Sequence, residues 1–167
     1  YLVSLGFFKV SGGDILREEM KKLGIPTDRS HIHEFVKEMR TQYGNGYPSE
    51  ETIKRVRGNT VISGIRNSEE VRTFRERLGN NFKLIAVQTP VEIRYQRARE
   101  RGRIGDNISF ENFKAEEEKE KAAETGSHEV DLVISMADMI IDNDGIPEEL
   151  FRKIDKFLRP YGLVSKN

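Results

Sequence analysis

The chain contains no cysteine and no tryptophan. Without thiols, disulfides and thiolate metal sites are excluded, which fits the reducing cytoplasm. The longest apolar runs, such as Leu84-Ile85-Ala86-Val87, are four residues, far short of the ~20 that a membrane helix needs. No basic stretch followed by an apolar one marks a secretory leader. Net charge is lacking as well: Lys and Arg total 28, and Asp and Glu total 28. A general polyanion binder needs net basic charge, so neither a nucleic-acid nor a membrane partner is expected.

The zero total is a cancellation. Residues 1–105 carry 20 basic and 13 acidic side chains, and residues 106–167 carry 8 and 15. A local anion site in the basic half therefore stays open. Charged residues make up 34% of the chain, a composition also met in heat-tolerant proteins. Hydrophobic residues make up 36% but are clustered, which predicts a globular fold rather than disorder. At 167 residues the chain is expected to form a single domain.

Short apolar runs alternate with longer helical patterns. Phe7–Val10, Thr60–Ile62, Phe82–Val87 and Met139–Ile141 read as strands. Their apolar residues are continuous rather than alternating, which suits parallel strands covered on both faces. Helical spacing runs over Asp14–Leu23, His31–Tyr43, 109–124 and the stretch opened by Pro147. Asn67-Ser-Glu-Glu opens another helix with a capping residue, and Pro90 opens a further one. This alternation predicts an α/β parallel sheet flanked by helices. The stretch between Val10 and Thr60 is long enough for two or three helices, so a helical arm is expected at about 12–58.

Arginines stand at 94, 97, 99, 101 and 103, with Glu100 the one acidic residue among them. Arg97 and Arg101 are four apart and share a helix face. Arginine suits bidentate phosphate contact, and the group follows a strand end, where α/β sheets bind ligands. The bland alternative is a solvated basic face. Ser11-Gly12-Gly13-Asp14-Ile15-Leu16-Arg17 also follows a strand, as does Ser63-Gly64-Ile65-Arg66. Glycines permit close approach, and a helix start favours an anion. Either stretch alone could be a simple turn. Three strand ends that each deliver arginine predict one polyphosphate-sized site. Asp142-Asn143-Asp144-Gly145 closes the last strand as a polar turn. His31, His33 and His128 lack metal-ligand spacing, so no metal is assigned to them. The acidic run 116–120 reads as a solvated helix face or as a partner for the arginine helix.

These residues resemble the P-loop nucleotide kinases of the nucleoside monophosphate kinase group, nearest the adenylate-kinase-related and dephospho-CoA-kinase-like branch. Gly13-Asp14-Ile15-Leu16-Arg17 is similar to the start of the acceptor-binding arm. Gly64-Ile65-Arg66 is similar to the segment whose arginine grips the acceptor phosphate. Arg97–Arg103 with Asp106-Asn107 resembles the lid, at about 99–115. Ala137-Asp138-Met139-Ile140-Ile141-Asp142-Asn143-Asp144-Gly145 resembles the strand and loop on the adenine side.

The resemblance implies a three-layer P-loop kinase-like sheet with a helical acceptor-binding arm and a small lid. It implies ATP-dependent phosphoryl transfer, with Mg²⁺, to a nucleotide-like acceptor, a nucleoside monophosphate first. Arg17, Arg66 and Asp14 would bind the acceptor, with Asp14 reaching Mg²⁺ through water. Arg97, Arg101 and Arg103 would neutralise the transferring group, and Asn143 and Gly145 would frame the adenine. A dephospho-CoA-type kinase, or a nucleotide-binding or ATPase domain without acceptor, is the alternative. Two departures stand out. Ser63 replaces the acidic residue expected before Gly64, and the phosphate-cradling G-x-x-x-x-G-K-[ST] occurs nowhere in the 167 residues. Tyr1–Gly6 reads like the end of a helix that the family places just after that loop, so the expectation is that the chain continues upstream of Tyr1.

Overall fold

The computed structural model describes residues 1–102, 108–122 and 129–164. The chain divides into two compact units, one comprising Tyr1–Lys83 and Glu129–Met136, the other Leu84–His128 and Ala137–Asn167.

The first unit opens with a 3₁₀ turn, Leu2–Leu5, ended by Gly6 at φ 89°. Only glycine adopts that left-handed value freely, so the chain can reverse there into the first strand. Strand β1 (Phe8–Ser11) pairs in parallel with β2 (Thr60–Ser63). Between them lie three helices, α1 (Gly12–Lys22), α2 (Arg29–Tyr43) and α3 (Tyr47–Ile53). They bury a cluster of Leu16, Met20 and Phe35, with Ile25, Ile32, Val36, Met39 and Tyr47 packed against it. In α1 and α2 these apolar positions recur every three or four residues, so each of these two helices turns one apolar stripe inward. Tyr47 Oη donates to Glu19 at 2.8 Å; burial and that carboxylate push the phenol above its ordinary pKa. Helix α4 (Ser68–Leu78) follows β2 and stacks Phe74 on Phe82, ring centroids 5.2 Å apart. Its start is the expected one. Asn67 and Glu70 form a reciprocal capping box, so the first N–H groups of the helix are satisfied.

The second unit pairs β3 (Ile85–Gln88) in parallel with β4 (Met139–Asp142). The apolar run from Phe82 predicts a longer strand, but β3 starts at Ile85. Leu84 is buried instead, and its N–H is taken by the Asp138 carboxylate at 2.7 Å. Helix α5 (Val91–Arg101) ends at Gly102, and α6 (Phe110–Ala122) packs on it through Tyr95, which meets Phe110 and Phe113. A six-residue helix absent from the sequence reading, α7 (Val130–Ser135), belongs to the first unit and buries Val133. Helix α8 (Pro147–Leu158) starts on its proline and closes the second unit with Ile154 and Leu158. The fold is α/β with parallel strand pairing, as the alternation predicts, but among the described residues the four strands form two separate two-stranded sheets rather than one. Among the described residues no helix is long and apolar enough to cross a membrane.

Candidate functional site

In the first unit, Ser11 and Ser63 lie opposite each other at the ends of two adjacent parallel strands. The chain therefore leaves both strands at one sheet edge, toward Gly12–Arg17 and toward Gly64–Arg66. The carboxyl edge of a parallel sheet is where such folds place ligands. Ser11 caps α1 by accepting from the Asp14 N–H at 3.4 Å. One turn on, Arg17 Nη1 donates to Asp14 Oδ1 at 3.2 Å. Both side chains are exposed, 47% for Arg17 and 67% for Asp14, so both can turn to a ligand. After β2, Gly64 takes φ 91° and needs no side chain in that conformation.

Arg66 is exposed at its side chain but held at its backbone. Its N–H donates to Glu70 Oε2 at 3.0 Å, and its carbonyl accepts from the Glu129 N–H at 2.8 Å. Glu70 is itself buried and accepts from Arg40 Nη2 at 3.2 Å. A buried charge of this kind needs such a partner to offset its lost hydration. Glu129 Oε2 accepts from the Ser68 N–H at 3.0 Å and from Ser68 Oγ. The two bonds to Ser68 hold the Glu129 carboxyl below the usual carboxylate pKa.

In the second unit, Arg97 joins the two residues predicted to frame the adenine. Its Nη1 donates to the Asn143 carbonyl at 2.9 Å and its Nη2 to the Gly145 carbonyl at 3.1 Å. The Asn143 carbonyl also accepts from Thr89 Oγ1 at 3.2 Å, and the Asn143 N–H donates to Gln88 at 2.8 Å. The turn after β4 is thus tied to β3 and to α5. Arg94 is committed to another task. It makes a two-nitrogen pair with Glu117 on α6 and donates to the Thr89 carbonyl. Glu117 raises its pKa further. The acidic helix therefore pairs with the arginine helix at this point. Arg101 is exposed at the end of α5, and Arg103 lies outside the described residues.

The sequence reading assigned no site role to Glu129, Glu70 or Asp138, and it carried Glu117 only within the acidic run 116–120. Each works on a partner distant in sequence or in the same helix turn. Glu70 alone had a local signal, its place three residues after Asn67. His31 spends its Nδ1 on Asp28 at 2.5 Å. A cleft of ≈ 580 Å³ opens beside β1 and α1, lined by Lys9, Asp14, Glu18, Lys54, Arg55 and Arg57 among others. Much of its positive charge is already matched. Arg55 pairs with Glu18 at 2.7 Å, Lys54 pairs with Glu51, and Arg57 lies 4.6 Å above the Phe8 ring.

Asp14 is the one predicted metal contact. An exposed carboxylate with a single arginine neighbour fits a bond to a water of hydrated Mg²⁺, which keeps much of its water shell.

No family model matches the chain. A UPF0200 protein of Thermococcus onnurineus is 32% identical over 160 residues, covering 92% of this chain and 84% of the relative. One of Pyrococcus horikoshii is 34% identical over 154 residues, covering 88% and 80%. A UPF0200/UPF0201 protein of Archaeoglobus fulgidus is 30% identical over 160 residues. The chain covers 48% of that relative, about half its length. With identities above 30% across four fifths of two archaeal relatives, the chain belongs to the UPF0200 family.

Proposed function

We propose that the protein transfers a phosphoryl group from ATP to a phosphate-bearing, nucleotide-like acceptor, with a nucleoside monophosphate as the first candidate. One observation carries this reading: Arg17 and Arg66 arise from the ends of two paired parallel strands, in register at Ser11 and Ser63. Two exposed guanidiniums issuing from one sheet edge suit a dianionic phosphate, which each can grip with two N–H groups. Phosphoryl transfer needs little covalent help from protein; it needs positioning and neutralisation of charge. In this reading Arg17 and Arg66 hold the acceptor phosphate, and Asp14 orients a metal-bound water. The Asn143–Gly145 turn receives the adenine, and Arg97 keeps that turn in shape through its two carbonyls. Arg101 and Arg103 neutralise charge on the transferring group. Arg97 joins them only by giving up its two present hydrogen bonds. Mg²⁺, when bound with ATP, supplies charge compensation between the phosphates.

The reading requires a phosphate-cradling loop, and these 167 residues do not contain its motif. The test therefore uses the complete gene product with γ-labelled ATP, Mg²⁺ and a panel of nucleoside monophosphates and dephospho-CoA. Label moved to a monophosphate supports the reading. Label moved to dephospho-CoA selects the other kinase. Label released only as free phosphate identifies an ATPase, and no turnover leaves a nucleotide-binding domain; either result overturns the kinase reading.

A further inference from the structure

Two carboxylates grip the loop that carries Arg66, and one of them exceeds what helix capping requires. Asn67 and Glu70 already complete the capping box of α4. Glu129 adds three more bonds from 61 residues away. Its carboxylate accepts from the Ser68 N–H and Oγ, and its own N–H donates to the Arg66 carbonyl at 2.8 Å. The tripeptide Arg66–Ser68 is thus pinned at both ends by one residue. The helix that follows makes this contact firm. Val133 of α7 is buried, and the Met136 carbonyl just beyond α7 accepts from Arg75 Nη2 of α4 at 2.6 Å. The segment Glu129–Met136 is fastened to α4 at its start and at its finish, although the chain on either side of it belongs to the second unit. Arg72 and Arg40 favour the ionised carboxylate.

We infer that Glu129 is a positioning residue for the acceptor phosphate. It sets the backbone from which Arg66 reaches, and it does so without touching the ligand. The inference rests on the proposed role of Arg66. Without the Glu129 carboxylate, the N–H and hydroxyl of Ser68 turn to water, only the backbone bond from residue 129 to the Arg66 carbonyl remains, and the loop samples more than one conformation. Acceptor binding then bears the cost of selecting the competent one.

The test is steady-state kinetics and amide hydrogen exchange on the complete gene product, with adenosine monophosphate as the acceptor probe. Glu129→Ala is expected to raise the acceptor KM about tenfold and leave the ATP KM within about twofold. Glu129→Gln keeps an oxygen for both Ser68 donors and should restore most of the loss. Amide exchange at Ser68 should accelerate at least about tenfold in Glu129→Ala. Should that variant fail to fold, Ser68→Ala removes one bond of the three and should move both readouts the same way by less. Unchanged exchange at Ser68 overturns the Glu129 contact itself. Acceptor and ATP KM rising together, or no rescue by glutamine, reduces it to general scaffolding and overturns the proposal. Unchanged acceptor kinetics in Arg66→Ala defeat the role of Arg66, a failure that the exchange data keep separate from that of Glu129.

Discussion

Arg97 of α5 donates to the carbonyl of Asn143, 46 residues later, at 2.9 Å, and its second terminal nitrogen reaches Gly145. The sequence places these residues in different motifs, one read as a phosphate-neutralising arginine and the others as an adenine-side loop. Their hydrogen bonds make the arginine a brace for that loop. Arg97→Ala should lower unfolding stability by about 1–3 kcal/mol, the loss of two charge-assisted bonds. Urea unfolding of the complete protein measures this. Arg97→Lys keeps the charge but offers no planar fork for two carbonyls, so it should recover less than half of the loss. Full recovery by lysine would show that charge, rather than the fork, is what the turn uses.

The carboxylate of Glu129 makes the first unit sensitive to acid. Its bonds to Ser68 place its folded pKa below the ordinary value, about 4.3 in an unfolded chain. The contact's stabilisation is thus complete above the unfolded value and is lost as pH falls through the lower folded one. Other carboxylates titrate in the same range, so the informative quantity is a difference. The stability gap between the wild type and Glu129→Gln should be constant from neutral pH down to about 4.5 and shrink below it. A gap that grew on acidification would mean that the native carboxylate is not the stabilised form.

Gly46 lies where α3 meets α4, and its conformation is ordinary for any residue, with φ −78°. Its constraint is space. A Cβ there would stand 2.5 Å from Thr73 Oγ1. Thr73 is buried, and its hydroxyl donates to the Glu69 carbonyl at 2.9 Å, so it has little freedom to yield. Gly46→Ala should cost about 1–3 kcal/mol through overpacking. In a Thr73→Ala background the same change should cost little, because the next contacts lie at 3.6 Å, an ordinary separation. Thermal unfolding of the four proteins in this cycle checks it, and equal penalties in both backgrounds would remove Thr73 as the cause.

What the sequence displayed was local. The start of α4 was legible because Asn67 and Glu70 signal within one turn, and the four strands were legible as apolar runs. The start of β3 was not, since the Leu84 N–H goes to the Asp138 side chain from 54 residues away and the ladder begins at Ile85. Helix α7 was hidden for a similar reason. Val130-Asp-Leu-Val-Ile-Ser is short and rich in β-branched residues, and its helical state depends on burying Val133 and on Arg75 binding the Met136 carbonyl. The arginines of the candidate site were legible as residue types. Their division of labour was not: Arg94 serves Glu117, Arg97 serves Asn143 and Gly145, and Arg17 and Arg66 stay exposed.

That division gives the sharpest test of the proposed chemistry. If Arg66 grips the acceptor phosphate, removing it should weaken the acceptor and the transition state together while sparing the donor. Arg66→Ala is expected to raise the acceptor KM and lower kcat, with kcat/KM for the acceptor falling at least about a hundredfold. ATP affinity, read separately by equilibrium titration, should change less than about threefold, since uniform loss of binding would point to a damaged fold. Arg66→Lys retains one point charge in place of two parallel N–H groups and should recover only part of the loss. Equal acceptor kinetics in the variant and the wild type would end the assignment of the β2 strand end to acceptor binding.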